Sequence, residues 1–365
     1  MKLFPVFSIF ILSIWLTSNV RLSAFDNIES TSLILRSEFI FEDAPFASCH
    51  ASTIAETTDG TLVAAWFGGS REGAGDVAIW SSYLEKGSER WSAPIRVGTA
   101  DEENTPCWNP VLFQPKDERL CLFYKQGKQI SQWQGVLLFS DDNGKTWTDR
   151  RILPEYFIGP VKNKPVQLND GTILCASSSE HNGWKVHFEF IPAFDKTWSR
   201  TEAINDINQV QAIQPTILKH KNGSLQAICR NRNGNGNLLS SWSDDNGKTW
   251  SKLTDLGLPN PNSGVDAVTL KDGRFLLVYN HSNINSGGRN VLNIAVSDDG
   301  IEWKAVVALE NDEGEFSYPS VIQSKEGLVH IVYTWKRKKI RRVSIDPQKI
   351  MGVPITNGIW PDSVQ

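Results

Sequence analysis

The sequence lacks several features on which common functions depend. Its six histidines show no paired spacing that would hold a metal ion, and no glycine-rich phosphate loop ending in Gly-Lys is present. The net charge is −4 over 365 residues, which gives no basis for binding nucleic acid or an anionic membrane surface. We therefore expect no cofactor, no metal and no nucleic-acid partner.

Long apolar runs are also scarce. The main one, residues 6–16, follows Lys2 and precedes a polar stretch that ends in small residues near Ala24. A run this short is typical of a secretory signal rather than of a membrane span. We expect a signal peptide over residues 1–24, no transmembrane span beyond it, and a secreted, periplasmic or extracellular protein. An uncleaved anchor is the alternative.

Cysteine is infrequent, and the five cysteines are an odd number, which argues against a complete disulfide framework. Cys121, Cys175 and Cys229 are spaced 54 residues apart, so they would occupy equivalent places in successive structural units. We expect these three to be small buried core residues. Cys49 and Cys107 could pair, although nothing in the sequence demands it.

An eight-residue repeat dominates what is present. Residues 140–147 read Ser-Asp-Asp-Asn-Gly-Lys-Thr-Trp, and residues 243–250 have the same sequence. Residues 297–303 are a shorter copy, and residues 194–198 are a degenerate copy. Asp, Asn and Gly favour a hairpin turn after each preceding alternating strand. The closing tryptophan can fold back over the turn. We interpret the octet as a structural clasp rather than a site.

A second series of turns sets the number of units. Six turns are each followed by a short apolar strand: Asp59-Gly60, Asp117-Glu118, Asp170-Gly171, Asn222-Gly223, Asp272-Gly273 and Glu326-Gly327. Units of just over fifty residues with almost no helical signal predict four antiparallel strands each. The fold class expected is all-β, a six-bladed β-propeller of four-stranded blades, in one domain over residues 25–365. A seven-bladed ring with a degenerate blade and a β-helix are the alternatives.

Propeller geometry predicts where a pocket lies. The first strand of each blade lines the central channel, and it starts on the face where the loops between second and third strands gather. The residues at the six predicted strand starts are all polar: His50, Asn109, Lys164, Gln214, Asp266 and Tyr318. The loops of the same face add Arg71, Asp76, Glu180, Arg230, Arg232, His281 and Arg289. Several arginines at one pocket imply an anionic ligand, because the guanidinium fork matches a carboxylate.

This pattern resembles the sialidase superfamily, six-bladed propellers with Asp-box or BNR repeats, over essentially the whole mature sequence. The octets match the Asp-boxes. The resemblance implies that Asp76, shortly after Arg71, is the general acid, that Arg230 and Arg289 clamp the sugar carboxylate, and that Tyr318 is the nucleophile. Burial would have to raise the pKa of Asp76 for that role. The activity implied is that of an exo-acting glycoside hydrolase on a terminal acidic sugar of an oligosaccharide or glycoconjugate.

The sequence departs from the family pattern at two positions. Sialidases begin the first blade with an arginine in an Arg-Ile-Pro motif, and this chain has His50 there. A glutamate that assists the tyrosine stands near the start of the fourth blade, where this chain has Gln214, which cannot take a proton. Glu180 and Glu189 are the candidate replacements.

One alternative function is a lyase or rhamnosidase-type enzyme on uronate-containing glycans. Lys164 would then neutralise the carboxylate together with Arg230 and Arg289. His50 would act as base or acid near neutral pH.

A second alternative is a non-catalytic glycan-binding propeller. Tryptophans near the predicted face, Trp108, Trp133 and Trp184, could stack on sugar rings. The presence of Asp76 together with Tyr318 opposes this interpretation, because a lectin needs neither.

Overall fold

The structure, a computed structural model, describes residues 1, 32–116, 118–233, 236–284 and 287–364. The predicted signal peptide, apart from Met1, lies outside the described residues. Among the residues that are described, no helix has the length and apolar character needed to cross a membrane.

The strand sequences produce six antiparallel sheets, each built from successive hairpins, and the inner strands pack around a ring. The predicted six-bladed β-propeller is confirmed. The strands in chain order are β1 (Ile34–Phe39), β2 (Ser48–Glu56), β3 (Leu62–Gly69), β4 (Ala78–Leu84), β5 (Ile95–Gly98), β6 (Cys107–Phe113), β7 (Leu120–Gln126), β8 (Gln134–Ser140), β9 (Thr148–Ile152), β10 (Val166–Gln167), β11 (Ile173–Ser179), β12 (Lys185–Ile191), β13 (Ser199–Arg200), β14 (Ala212–Lys219), β15 (Leu225–Asn231), β16 (Asn237–Ser243), β17 (Thr254–Pro259), β18 (Asp266–Thr269), β19 (Phe275–Tyr279), β20 (Val291–Ser297), β21 (Trp303–Asn311), β22 (Phe316–Gln323), β23 (Val329–Trp335), β24 (Lys339–Ile345) and β25 (Val353–Pro354). The short 3-10 helices are Ile130–Gln132, Gly288–Asn290, Pro347–Lys349 and Asp362–Val364.

Two outer strands were not predicted from the repeats. β1, from the start of the described chain, pairs antiparallel with β24 and supplies the fourth strand of the sixth blade. β25, near the other end, adds a fifth strand to the fifth blade beside β21. The ring is therefore closed by a blade whose strands come from both ends of the propeller domain.

The six turns predicted between first and second strands fall between the strands expected, with Asp117 outside the described residues. The glycines of the other five turns all have left-handed backbone, with φ between 90° and 97°. A side chain at such φ is strained, and the glycine avoids this cost. The repeat of one turn geometry explains why the sequence signal was so regular.

The octet hairpins have the clasp structure that was predicted. In the first copy the Ser140 hydroxyl accepts from the Gly144 amide at 2.8 Å, and Asp142 accepts from the Thr146 amide and hydroxyl at 2.8 and 2.6 Å. The second copy repeats all three bonds within 0.1 Å. Its closing Trp250 stacks on Phe188 of the preceding blade at 3.9 Å between ring centroids. The octets thus tie hairpins and neighbouring blades together.

All five cysteines are buried and free. The expected core role of Cys121, Cys175 and Cys229 is confirmed, and Cys49 and Cys107 do not pair. Burial raises the pKa of Cys107 to about 12, so its thiol is inert as a nucleophile at neutral pH.

A β-bulge recurs where the first strand of a blade begins, and it positions the site. Register shifts lie between β2 and β3, β6 and β7, β14 and β15, and β22 and β23. At each shift one non-glycine residue has left-handed backbone: Ala51 (φ 55°), Asn109 (φ 36°), Gln214 (φ 55°) and Tyr318 (φ 54°). Strain of this kind costs about 1–3 kcal/mol and concentrates at functional sites.

The bulges correct the predicted register of the first blade. His50 was expected at the position equivalent to Tyr318, and the structure places Ala51 there, with His50 one residue earlier. The prediction assumed a polar residue at this position in every blade. The first blade has an alanine there, so the prediction took the neighbouring histidine instead.

Candidate active site

Tyr318 is the centre of the residues that the fold brings together. It is the third residue of the inner strand β22 and is 9% exposed. Its hydroxyl oxygen accepts hydrogen bonds from Arg230 Nη1 at 2.9 Å and Gln214 Nε2 at 3.3 Å. The His50 ring lies 4.2 Å from the Tyr318 ring between centroids. Four of the predicted site residues, from three blades, therefore meet at one phenol.

Arg230 brings a buried positive charge to this site. It lies near the end of β15 and is 9% exposed. Besides Tyr318 it donates to Asn262 Oδ1 at 2.6 Å and Gln214 Oε1 at 3.2 Å, and its guanidinium lies 5.2 Å from the Trp184 ring centroid. Within the described residues, no ion pair to Arg230 is found. Because burying an unpaired charge is costly, this arrangement favours an anionic ligand.

Arg289 approaches the same tyrosine from the fifth blade. Its guanidinium lies 5.8 Å from the Tyr318 ring centroid, and its Nη2 donates to the Asn262 carbonyl at 3.0 Å. Its Nη1 pairs with Glu315 at 3.0 Å, and Glu315 also pairs with Arg337 Nε at 2.9 Å. These hydrogen bonds and charges outweigh desolvation and lower the pKa of Glu315 to about 2. Glu315 therefore fixes two guanidinium groups beside the tyrosine.

Sequence reasoning missed the residues that hold the two arginines. Asn262 lies in the segment Asn-Pro-Asn-Ser-Gly over residues 260–264, and its composition signals only a turn. The structure gives Asn262 left-handed backbone at φ 55° and directs its two oxygens to Arg230 and Arg289. Arg337 lies in the turn after β23, which carried no sequence signal for a pocket.

Lys162 is a further buried cation near the tyrosine. It is 3% exposed, and its ammonium group lies 5.8 Å from the Tyr318 ring centroid. It donates to Asn163 Oδ1 and the Val265 carbonyl, both at 2.9 Å, and to the Pro319 carbonyl. Desolvation lowers its pKa to about 7. Together with Arg230 and Arg289, it makes the surroundings of Tyr318 electropositive.

The loop of residues 70–76 lies on the β3–β4 connection of the pocket face. Asp76 accepts from the Ser70 amide and hydroxyl, both at 2.9 Å, and it is exposed. The expectation that Asp76 is buried is wrong, because the loop projects from the end of the blade into solvent. Arg71 is also exposed. Glu72 of this loop pairs with Arg337 at 2.5 Å, which links the loop to the Glu315 network.

His50 is 1% exposed, and its Nδ1 lies 2.9 Å from the Thr334 hydroxyl oxygen. Desolvation holds its pKa well below the usual value, and the charges of Arg337 and Arg289 lower it further. The imidazole is therefore neutral at neutral pH. The idea that His50 is a general acid near pH 7 does not fit this state, because there is no imidazolium proton to give.

Two other predicted ligands, Lys164 and Asp266, have partners inside the protein. Lys164 donates to both carboxylate oxygens of Asp266, at 3.0 and 2.9 Å, and to the Ala267 carbonyl at 2.8 Å. Asp266 is fully buried and also accepts from Thr216 and the Val321 amide. The geometry thus gives Lys164 and Asp266 a structural role and does not support their expected contact with substrate.

The remaining candidates surround the pocket without bonding the tyrosine. Glu180 is half-buried near Arg230 and Trp184, and desolvation raises its pKa. Glu189 is fully buried and accepts from the Ile158 and Gly159 amides, so it does not replace the missing glutamate. Asn109 is 5% exposed at the bulge of the second blade.

Comparison with known proteins places this architecture in a family. A family model described as BNR repeat-like domain matches residues 60–331. The chain belongs to the BNR repeat-like domain family. Its propeller is that of the sialidase superfamily, as the octets predicted. This BNR propeller is also 22% identical over 256 residues to anhydrosialidase of Macrobdella decora, a match that covers 61% of the chain and 33% of that protein.

Solved structures agree on the fold of the BNR propeller. The intramolecular trans-sialidase from Ruminococcus gnavus superposes with a TM-score of 0.70 at 14% identity, covering 90% of this chain and 99% of that one. The leech intramolecular trans-sialidase superposes with a TM-score of 0.70 at 15% sequence identity, and the match covers 88% of this chain and 71% of that one. A protein of unknown function from Dyadobacter fermentans superposes with a TM-score of 0.69 at 17% sequence identity, and the match covers 86% of this chain and 98% of that one. At these identities the likeness concerns the fold alone. The chain spans about a third of the curated relative's length.

Proposed function

We propose that this BNR propeller is an exo-acting glycoside hydrolase that removes a terminal acidic sugar, in the manner of a sialidase. The observation that carries the proposal is the environment of Tyr318. Its hydroxyl oxygen accepts from a buried guanidinium, and two guanidinium groups and the Lys162 amine lie within 6.0 Å of its ring. Donors aimed at the phenol oxygen can stabilise the negative charge that develops on it when it attacks an anomeric carbon.

Activation of Tyr318 differs from the usual route through a carboxylate base. The two side chains that bond its oxygen, Arg230 and Gln214, are both donors in these bonds. They take no proton, and they stabilise the phenolate that remains when the proton leaves to solvent. The proposed role of the glutamine at the start of the fourth blade is therefore to hold the phenolate rather than to deprotonate the phenol.

The substrate carboxylate is proposed to bind Arg230 and Arg289. Asn262 holds both guanidinium groups, and Arg230 has charge left to neutralise. A sugar that carries a carboxylate on its anomeric carbon repels a carboxylate nucleophile, and a tyrosine avoids that repulsion. Asp76 is exposed in the free protein, so in this proposal the bound sugar itself has to cover the carboxyl group. Asp76 would then protonate the leaving oxygen and later activate water, so that Tyr318 first forms and then loses a bond to the anomeric carbon.

Location outside the cytoplasm is part of the proposal. It is supported by the N-terminal apolar run, residues 6–16, which is typical of an export signal. The partner proposed is an oligosaccharide or glycoconjugate with a terminal carboxylate sugar.

A product screen tests the proposal. The mature chain is incubated with 3′-sialyllactose, 6′-sialyllactose and a set of uronate-containing oligosaccharides, and products are followed by NMR and ultraviolet absorbance. Release of a free terminal acidic sugar supports hydrolysis. An unsaturated product that absorbs in the ultraviolet would show that the reaction is elimination and not hydrolysis. Binding without turnover would show that the protein is a lectin.

A further inference from the structure

A second cavity opens on the pocket face, between blades two and three. Its volume is about 760 Å³, and we call it the blade two–three groove. Its lining includes Trp133, Tyr156, Phe157, His181, Lys185 and Arg200. Pockets for small ligands have volumes of about 300–1,000 Å³ and combine aromatic walls with a few polar groups. The groove fits that description and contains none of the residues that touch Tyr318.

Strand direction explains why these side chains converge. Trp133 lies in the β7–β8 connection, Tyr156 in the β9–β10 connection, and His181 in the β11–β12 connection. All three connections lie at the ends of strands that run towards the face where β22 begins. The groove therefore opens on the same side of the propeller as the candidate active site.

Tyr156 is presented to solvent by a strained backbone. Its side chain is 72% exposed, and its φ is 72°, a left-handed value that is rare for an aromatic residue. The strand residue Arg200 donates from Nη1 to the Tyr156 carbonyl at 2.8 Å. Phe157, the next residue, packs edge-on against Trp198 at 5.8 Å between centroids. The fold thus fixes the backbone that carries an exposed aromatic ring at the groove.

The charges of the lining indicate what kind of ligand fits. Two acidic residues, Glu155 and Glu202, balance the two basic residues Lys185 and Arg200. A groove with equal charge of both signs gives no net attraction to an anion or a cation. Aromatic faces and alternating donors and acceptors instead suit a neutral ligand with apolar faces and many hydroxyl groups, which describes an oligosaccharide.

The groove is connected to the candidate active site by contacts. Trp133 packs at 5.6 Å from Trp108, Trp108 at 6.2 Å from Phe67, and Phe67 at 5.6 Å from His50, which contacts Tyr318. The groove residues Ser179 and His181 also flank Glu180 in the chain, and the charge of Arg230 acts on Glu180. The segment around Glu180 therefore joins the groove to the surroundings of Arg230.

We propose that the blade two–three groove binds the neutral sugars that follow the terminal acidic sugar of the substrate, with Tyr156 and Trp133 as its aromatic walls. The proposal rests on the proposed function for the identity of the substrate. Binding of a neutral oligosaccharide by the groove itself does not require catalysis.

The first experiment measures binding without turnover. Dissociation constants of lactose, cellotriose and maltotriose are measured by NMR titration with the mature wild-type chain and with Tyr156→Asn, Tyr156→Phe and Met351→Asn. Asparagine tolerates the left-handed backbone and lacks the ring, whereas phenylalanine keeps the ring. Met351 is 83% exposed and lies outside the groove lining, so it is a matched surface control.

We expect at least one of the three sugars to bind and Tyr156→Asn to weaken it about three- to tenfold, the effect of losing one aromatic contact. Tyr156→Phe and Met351→Asn should stay within about twofold of the wild type by the same measure. Binding of none of the three sugars would overturn the proposal. So would equal affinity in the wild type and Tyr156→Asn.

The second experiment separates this proposal from the proposed function. Values of kcat/KM are compared for 4-methylumbelliferyl N-acetylneuraminic acid, which has no following sugar, and for 3′-sialyllactose. Tyr156→Asn should lower the value for sialyllactose through KM and leave the aryl substrate unchanged. An equal loss of kcat/KM on both substrates would overturn the proposal that the groove binds the following sugars. Turnover of neither by the wild type would instead contradict a sialoside as the substrate, and the NMR titration alone would then decide whether the groove binds neutral sugars.

Discussion

Arg230 donates a hydrogen bond from Nη1 to the Tyr318 hydroxyl oxygen at 2.9 Å, although 88 residues separate the two in sequence. The bond joins the fourth blade to the sixth across the channel. It brings a buried guanidinium that has no carboxylate partner among the described residues to a phenol on a strained strand start. A carboxylate ligand would complete this arrangement, because it would neutralise the guanidinium beside the nucleophile.

Replacing Asp76 by asparagine should lower turnover of 3′-sialyllactose by about 10²–10⁴-fold, the usual contribution of a general acid. The loss should be much smaller for an aryl glycoside, because a good leaving group needs no proton. Asparagine keeps an acceptor for Ser70, so the thermal unfolding midpoint should not change. Equal loss on both substrates would contradict the role as an acid.

Replacing Asn262 by glycine should raise KM for a carboxylate substrate about tenfold, the effect of losing one hydrogen bond to a charged group. Glycine keeps the left-handed backbone at φ 55° and removes the acceptor for Arg230 Nε. Asn262→Asp should raise KM further, because a carboxylate there would compete with the substrate for Arg230.

The matched control for Asn262→Gly is Asn357→Gly. Asn357 is exposed and also has left-handed backbone, with φ 53°. Kinetics of the control should equal those of the wild type. A KM for Asn262→Asp below that of Asn262→Gly would contradict the proposal that Arg230 binds the substrate carboxylate.

Replacing Asp266 by alanine should lower the free energy of unfolding by about 3–5 kcal/mol, because the largely buried Lys164 would lose its carboxylate partner. The Val321 amide and the Thr216 hydroxyl would also lose their acceptor. Asp298→Ala, which breaks an exposed pair with Lys304, should cost less than about 1 kcal/mol. Urea unfolding of the three proteins checks this, and similar costs for both variants would contradict it.

Glu315 should make stability dependent on acid pH. Its pKa is lowered from 4.5 to about 2 in the folded protein, so its contribution is fully present above pH 4.5 and is lost as pH falls through 2. The contribution at pH 7 is on the order of 3 kcal/mol. Glu315→Gln should therefore be less stable than the wild type at pH 7, with the difference shrinking towards pH 2. A difference in urea unfolding that does not change with pH would contradict this.

The fold could be predicted because each blade repeats the same local signals. Glycine turns such as Gly60 and the octet at residues 140–147 act within a few residues of themselves, so the chain shows them directly. The pairing of β1 with β24 could not be predicted in this way. It joins segments about three hundred residues apart, such as Phe39 and Arg341, and β1 has no place in the repeat pattern.

Only those site residues that occupy equivalent positions in successive blades could be predicted from the sequence. Tyr318 and Gln214 occupy equivalent strand starts, so their meeting at the channel followed from the ring. Asn262 lies in a loop with no repeat equivalent, and its bonds to Arg230 and Arg289 depend on side-chain geometry. The internal pairing of Lys164 was missed for the same reason, since phase alone does not show whether a cation meets a carboxylate across the channel.

The central claim is that Tyr318 is the nucleophile of a hydrolase, and Tyr318→Phe tests it most directly. The variant keeps the ring beside His50 and removes only the oxygen that Arg230 and Gln214 bond. Release of the terminal acidic sugar from the substrate identified in the product screen is measured with circular dichroism as the fold control. The account predicts a folded protein with at least a thousandfold lower kcat, on the order of the loss when a covalent catalyst is removed. A folded Tyr318→Phe variant with wild-type kcat would contradict it.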